Sequence, residues 1–99
     1  MARPTPARVA LRAKTIGENL TAWRKLQGLT AEQLAERAGM SRGTLRKIEQ
    51  GDPGVSLEGF LSVASSLGLL DQIAKATDPY ETDLGRARAD EVLPQRVRR

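Results

Sequence analysis

The chain has 99 residues, of which 39% are hydrophobic and 28% charged, so it has room for one small domain with a modest core. It contains no cysteine and no histidine, which excludes disulfides and removes the side chains used most often as zinc ligands and general bases. No apolar run has the length of a membrane span and no secretion signal is recognisable, so we expect a cytoplasmic protein, not an enzyme, without cofactor or metal.

The net charge of +4 lies at one end of the sequence. Residues 1–14 contain basic residues and no acidic one, whereas basic and acidic residues balance over residues 15–99. These basic residues are Arg3, Arg8, Arg12 and Lys14. The prolines at positions 4 and 6 oppose a helix at the very start, although the composition from position 7 to 13 tolerates one. We interpret residues 1–14 as an arm that contacts nucleic-acid phosphates or, alternatively, as a solvated tail.

The first predicted helix begins after Thr15, which forms a capping-box pattern with Glu18, and ends before Gly28. Its apolar face would consist of Ile16, Leu20 and Trp23.

Two short helices follow in close succession. Thr30 and Gln33 form a second capping-box pattern, and Gly39 ends that helix. Ser41 caps the next helix, predicted over residues 42–50. The predicted buried residues of the pair are Leu34, Ala35, Ala38, Met40, Leu45 and Ile48.

The sequence from Gly51 to Gly54 predicts a loop before a fourth helix capped by Ser56, with Val55 and Phe60 as a hydrophobic staple. The inward residues of this helix would be Leu57, Leu61, Ala64 and Leu67. A fifth helix is predicted over residues 69–76. Its residues Leu69, Leu70 and Ile73 offer a surface for a dimer contact or, as we expect at least for Leu70 and Ile73, complete the core. The predicted fold class is therefore all-α.

The link between the second and third helices consists of only Gly39 and Met40. So tight a turn makes two helices cross steeply, as in a helix-turn-helix. The stretch from Leu29 to Gly51, LTAEQLAERAGMSRGTLRKIEQG, resembles the lambda-repressor and Cro type of helix-turn-helix, the XRE family.

This resemblance implies a five-helix lambda-repressor-like bundle over residues 15–76, between a flexible arm at residues 1–14 and a tail at residues 77–99. It also implies a repressor that binds two-fold symmetric double-stranded DNA as a homodimer. In such proteins the first helix is often tied to the end of the third, which implies an ion pair between Arg24 and Glu49; the alternative is two unrelated surface charges.

The third helix would lie in the major groove and present its polar face to base edges. We expect Arg42, at its N-terminal end, to recognise guanine, with Arg46 or Lys47 as second candidates. Gly43 permits either close approach to DNA or a tolerated exposed glycine. Gln33 and Ser41 either contact phosphates or act only as caps. The predicted DNA-binding residues are Gln33, Ser41, Arg42, Gly43, Thr44, Arg46, Lys47 and Gln50.

The segment after residue 77 has mixed charges and few apolar residues, which is typical of a tail that cannot fold alone. Four of its residues offer contacts to a partner: Tyr80, Leu84, Val92 and Leu93. Arg96, Arg98 and Arg99 offer contacts to DNA. Small regulators with such tails resemble HipB-type antitoxins, which bind a HipA-like kinase, although this chain lacks the strand-like segment that some of them carry. The alternative function is therefore a toxin-neutralising protein that also autoregulates its operon.

Overall fold

The computed structural model describes residues 3–92, apart from the side chain at position 90. This part of the chain is helical and contains no strand, as predicted for the fold class. Its elements are α1 (Ala7–Leu26), α2 (Ala31–Ala38), α3 (Arg42–Glu49), α4 (Leu57–Ser66), α5 (Leu70–Ala76), a 3-10 helix (Pro79–Glu81) and α6 (Asp83–Val92). The predicted number of five helices is wrong, because α6 follows α5. The chain divides into two compact units, Met1–Leu69 and Leu70–Arg99.

Helix α1 begins at Ala7, well before the predicted cap at Thr15. The Thr15 hydroxyl instead donates a hydrogen bond to the Leu11 carbonyl at 3.1 Å, within the helix. The predicted Thr15–Glu18 capping box is therefore wrong, and residues 7–14 of the expected flexible arm are helical. Alanine, leucine and arginine are strong helix formers, and their density in residues 7–14 explains the early start.

The predicted boundaries of α2 and α3 are confirmed by their caps. Thr30 Oγ1 accepts from the Gln33 backbone N–H at 3.0 Å, and Gln33 Oε1 accepts from the Thr30 backbone N–H at 2.9 Å. Gly39 ends α2 in the left-handed region, with φ of 71°. Ser41 Oγ then accepts from the Thr44 N–H at 3.1 Å and begins α3. The tight turn between the two helices therefore forms as predicted.

The first unit is held together by an aliphatic core contributed by α1 to α4. The buried cluster comprises Leu20, Leu29, Leu34, Ala35, Leu45, Ile48, Val63 and Leu67. On α4 Val63 and Ala64 are fully buried, Ala64 as predicted, whereas Leu57, also predicted to face inward, is 70% exposed. Ile16 and Trp23, also predicted as inward, are 43% exposed. The core is therefore nearly free of aromatic residues, although Phe60 packs at its edge with Val55.

Two glycines allow α1 to cross the C-terminal end of α3 with backbone against backbone. A Cβ atom placed on Gly17 would lie 2.6 Å from the Glu49 carbonyl oxygen and 2.8 Å from that of Ile48. A Cβ atom on Gly51 would lie 2.5 Å from the Ala13 carbonyl oxygen and from Lys14 Cα. This crossing fixes the position of α3 relative to α1.

The second unit contradicts the prediction of an unfolded tail. Asp78 caps the 3-10 helix by accepting from the Tyr80 N–H at 2.9 Å, and the Thr82 hydroxyl accepts from the Gly85 N–H at 2.9 Å. These two caps organise α6 despite its mixed charges. The predicted roles of Leu93, Arg96, Arg98 and Arg99 fall outside the described residues.

Helix α5 contains no buried residue, and Leu70 is 40% exposed. Its predicted place in the core is therefore wrong. Ile73 is half-buried and likewise lies outside the core cluster of the first unit. Leu69, the last residue of the first unit, packs against that core instead.

Candidate nucleic-acid interface

Helix α3 has one buried and one exposed face. Leu45 and Ile48 are 1% and 3% exposed and fix the orientation of the helix. The predicted DNA-binding residues are all exposed: Gln33, Ser41, Arg42, Gly43, Thr44, Arg46, Lys47 and Gln50. All but Gln33 belong to α3 or its two caps, so the structure brings them together on one polar surface. We call this surface, without Gln33, the α3 face.

The cations of the α3 face form no ion pairs within the described part of the chain. Neither Arg42 nor Arg46 forms an ion pair with any described residue, and the same holds for Lys47. Arg42 and Arg46 are four residues apart and therefore neighbours on the helix, whereas Lys47 lies further round it. An uncompensated cationic face on a rigid helix attracts a polyanion.

An open cleft of about 320 Å³ flanks the α3 face on the side of α1. Arg42, Arg46 and Gln50 form one wall, and Thr21 and Arg24 of α1 lie opposite, with Ala31 at the start of α2. Thr21 was not identified from the sequence, although its spacing of three residues from Arg24 places both on the same side of α1.

Ser41 and Gln33, the two predicted site residues that take part in N-terminal caps, already use most of their polar groups in hydrogen bonds. Ser41 Oγ accepts from the Thr44 N–H and donates to Thr44 Oγ1 at 3.0 Å, so both hydroxyls serve the start of α3. The Gln33 carbonyl oxygen accepts from Thr30, which leaves its amide NH₂ group directed to no described acceptor. Gln33 therefore combines a capping role with a free donor at the start of α2.

The ion pair implied by the family resemblance is present beneath the α3 face. Arg24 Nε lies 2.7 Å from Glu49 Oε2, and Arg24 Nη2 donates to Glu49 Oε1 at 3.3 Å. Arg24 Nη1 also donates to the Leu29 carbonyl at 3.0 Å. The two side chains are only 13% and 12% exposed, so this is a shielded, bidentate pair. It joins α1, the start of α2 and the end of α3 behind the exposed arginines.

Lys14 has a more defined position than the predicted arm would give it. Its backbone lies against Gly51, directly after α3, and its side chain is exposed. Sequence reasoning missed this placement because Lys14 was assigned to a segment without structure. The crossing of α1 over the end of α3 depends on Gly17 and Gly51, which have no local sequence pattern in common.

Within residues 3–92, no helix has the length and hydropathy needed to cross a membrane. In the same range, no three acidic side chains are grouped so that they could hold a metal ion.

A family model described as a helix-turn-helix domain matches residues 15–78, which include α2, α3 and the turn between them. No curated protein and no solved structure matches the chain.

Proposed function

We propose that this chain, which belongs to the helix-turn-helix domain family of DNA-binding regulators, represses transcription as a homodimer on a two-fold symmetric operator. The observation that carries the proposal is the α3 face, where exposed cations that form no ion pair with a described residue stand on a helix anchored by Leu45 and Ile48. A helix of this width fits the major groove, where each base pair presents a distinct pattern of donors, acceptors and methyl groups.

Arg42 is the first candidate for reading a base. It occupies the first position of α3, the part of a recognition helix that approaches base edges. Its guanidinium has no described carboxylate partner and is free to donate two parallel hydrogen bonds to guanine O6 and N7. Arg46 and Lys47, on the next turn, are the second candidates.

Phosphate contacts would fix the register of α3 in the groove. The free amide NH₂ group of Gln33 lies at the start of α2, where backbone N–H groups and the helix dipole also favour an anion. The exposed Lys14 side chain, beside the end of α3, offers a contact on the other side. Gln33 and Lys14 would thus contact phosphates on either side of the base-reading residues of α3.

Dimerisation follows from the size of the reading surface. Helix α3 has 8 residues and faces only a few base pairs, too few for selective binding by one copy. Two copies would read half-sites spaced by about 34 Å, one turn of DNA. Leu70 and Ile73 of α5 are candidates for the dimer contact, because α5 buries no residue within the chain.

The test is selection of bound duplexes from a random library, followed by affinity measurements with the wild type, Arg42→Ala and Arg37→Ala. Arg37 is an exposed arginine at the end of α2 and serves as the matched control for loss of one charge. We expect a two-fold symmetric site, and a loss of preference at one base pair per half-site in Arg42→Ala that corresponds to about 1–3 kcal/mol. Arg37→Ala should keep the same preference. The reading role of Arg42 is wrong if the two variants behave alike.

A second candidate function is supported by the second unit. Its helix α6 exposes Leu84 by 71% and Val92 by 62%, and a partner that covered both would remove their apolar surface from water. These two residues belong to the set predicted to contact a partner. In this alternative the chain is an antitoxin that neutralises a toxin such as a HipA-like kinase and autoregulates its operon. Inhibition of such a kinase by the wild type, lost in Leu84→Asp, would support it; a library selection without any enriched site would favour it over repression.

A further inference from the structure

Gly43 differs from the other glycines of the chain in having no internal reason to be glycine. Four of the nine have positive φ: Gly28, Gly39, Gly51 and Gly68. Four more would bring an added Cβ atom within 3.2 Å of a described atom: Gly17, Gly54, Gly59 and Gly85. At Gly43 the φ angle is not positive, and the nearest described atom, Ser41 Oγ, would be 3.9 Å from the added Cβ atom. The folded chain has room for a side chain there.

Glycine at this position is also unfavourable for α3 itself. It lies in the first turn of the helix, and glycine is less favourable in helices than every residue except proline. Alanine would fit the backbone and the available space. The absence of a side chain therefore weakens the free protein without serving its packing, which is the pattern expected of a residue that serves a bound partner.

The position of Gly43 on α3 identifies the partner surface. Leu45 and Ile48 point to the core, and at 3.6 residues per turn Gly43 lies almost opposite both of them. Its neighbours one turn along the same side are Arg46 and Lys47. Gly43 therefore lies in the middle of the α3 face, on the side farthest from the core. Because it has no side chain, it leaves a notch between the longer cationic side chains around it.

We propose that this notch receives the C5-methyl group of a thymine in the major groove. The inference rests on the proposed function, because it assumes that the α3 face enters the groove. The exposed Cα of Gly43 is an apolar surface, and the thymine methyl is the apolar group that the major groove presents. Because position 43 has no Cβ atom, the α3 backbone can lie closer to the base pair than it could with any larger residue there. The adjacent arginines, Arg42 and Arg46, can then reach the edges of neighbouring bases.

The experiment combines Gly43→Ala with removal of thymine methyl groups from the selected operator. The thymine positions of the half-site are tested one at a time. In each test, the thymine at that position is replaced by deoxyuridine in both half-sites. We expect one replacement to weaken wild-type binding about fourfold per half-site, the value of one buried methyl group. Gly43→Ala should bind the thymine operator about tenfold more weakly, and the deoxyuridine replacement should no longer weaken it.

Thermal unfolding tests whether the variant is intact, and we expect Gly43→Ala to raise Tm by about 2–8 °C. The inference is overturned if Gly43→Ala binds as tightly as the wild type, or if no deoxyuridine replacement weakens wild-type binding. If Arg42→Ala still loses preference in that case, the proposed function stands and only the role of Gly43 fails. If the wild type selects no duplex, both fail.

Discussion

Arg24 satisfies three acceptors with one side chain, two on Glu49 and one on the Leu29 backbone. Such shielding distinguishes this pair from an ordinary surface ion pair, which contributes about 0–1 kcal/mol. The sequence alone left both interpretations open, because charge and spacing do not reveal how deeply two side chains are buried. Only the resemblance to a known family favoured the pair, and the structure confirms it.

Glu49→Gln tests the contribution of this pair to stability. The substitution keeps the shape of the side chain but removes the charge that holds the Arg24 guanidinium, so we expect the free energy of unfolding to fall by about 2 kcal/mol. Urea denaturation followed by circular dichroism measures the difference.

The matched control for Glu49→Gln is Glu81→Gln. Glu81 pairs with Lys75 at 3.8 Å, and those side chains are 45% and 69% exposed. This exposed pair should contribute little, so Glu81→Gln should change the free energy of unfolding by less than about 0.5 kcal/mol. Equal effects of the two substitutions would show that the burial of Arg24 and Glu49 adds nothing.

The sequence predicted which residues of α3 are exposed, but it did not predict which residues of α1 lie beside them. Leu45 and Ile48 fixed the inward direction by their spacing, so the exposed side of α3 followed from helix geometry alone. Thr21 and Lys14 could not be found in this way. They approach α3 through the crossing of α1, which is a tertiary contact without a local pattern.

Helices α2, α3 and α4 begin at the predicted residues because short polar caps define them. Thr30, Ser41 and Ser56 each accept a backbone N–H three residues later, and glycine in the left-handed region ends α2. The same pattern misled at Thr15, because strong helix formers precede it and its hydroxyl turned back to the carbonyl four residues earlier. A cap pattern therefore predicts a boundary only where the preceding residues oppose a helix.

Replacing a glycine by alanine should change the free energy of unfolding in opposite directions at the crossing of α1 and α3 and at Gly43. Gly17→Ala should reduce the free energy of unfolding by about 2–3 kcal/mol, because its Cβ atom would meet the backbone carbonyls of Ile48 and Glu49, which cannot turn away. Gly43→Ala, the same chemical change on an open helix surface, should increase it by about 0.5–1 kcal/mol.

Chemical denaturation of the two variants beside the wild type separates these effects. Destabilisation of both would mean that helix propensity does not govern position 43. An unchanged stability in Gly17→Ala would mean that α1 and α3 lie further apart than the structure places them.

The whole molecule carries its excess charge at the start of α1. Arg8 and Arg12 are exposed, four residues apart, and α1 has no acidic residue in its first turn and no side-chain cap. Like charges at this spacing repel each other, and cations are unfavourable at the positive end of a helix. This arrangement costs the free protein stability, and a polyanion nearby would offset that cost.

The double variant Arg8→Gln/Arg12→Gln tests whether this end of α1 contacts DNA phosphates. If both arginines do so in each copy of the dimer, the slope of log affinity against log salt concentration should become shallower by about 2 per copy, or about 4 for the dimer. This substitution is better suited than deletion of residues 1–14, which would also remove Ala13 and Lys14 from their contact with Gly51.

The control for that variant is Arg86→Gln/Arg88→Gln, which changes the net charge equally on α6. Both double variants should lower nonspecific attraction slightly, but the control should leave the salt slope within error of the wild type. An identical slope in the wild type and both double variants would identify the start of α1 as a solvated segment.

At the scale of the molecule, cap patterns and apolar spacing predicted the all-helical class, whereas the extent of helix at both ends was underestimated. Residues 83–92 have a composition typical of a tail, yet two caps, Asp78 and Thr82, order the turn that leads into α6. Gly85 allows α6 to approach the Pro79 carbonyl so closely that no side chain would fit. Such contacts depend on three-dimensional proximity that average composition does not contain.

The two faces of α3 divide its residues into those that hold the helix and those that meet the outside. The anchoring side chains of Leu45 and Ile48 are buried, while the residues at positions 42, 43, 46, 47 and 50 are exposed and contribute nothing to the core. Evolution can therefore alter the second group without compromising folding. If the α3 face reads DNA as we propose, a handful of substitutions there would give the same scaffold a new target sequence, and regulators with different operators could arise from one ancestral bundle.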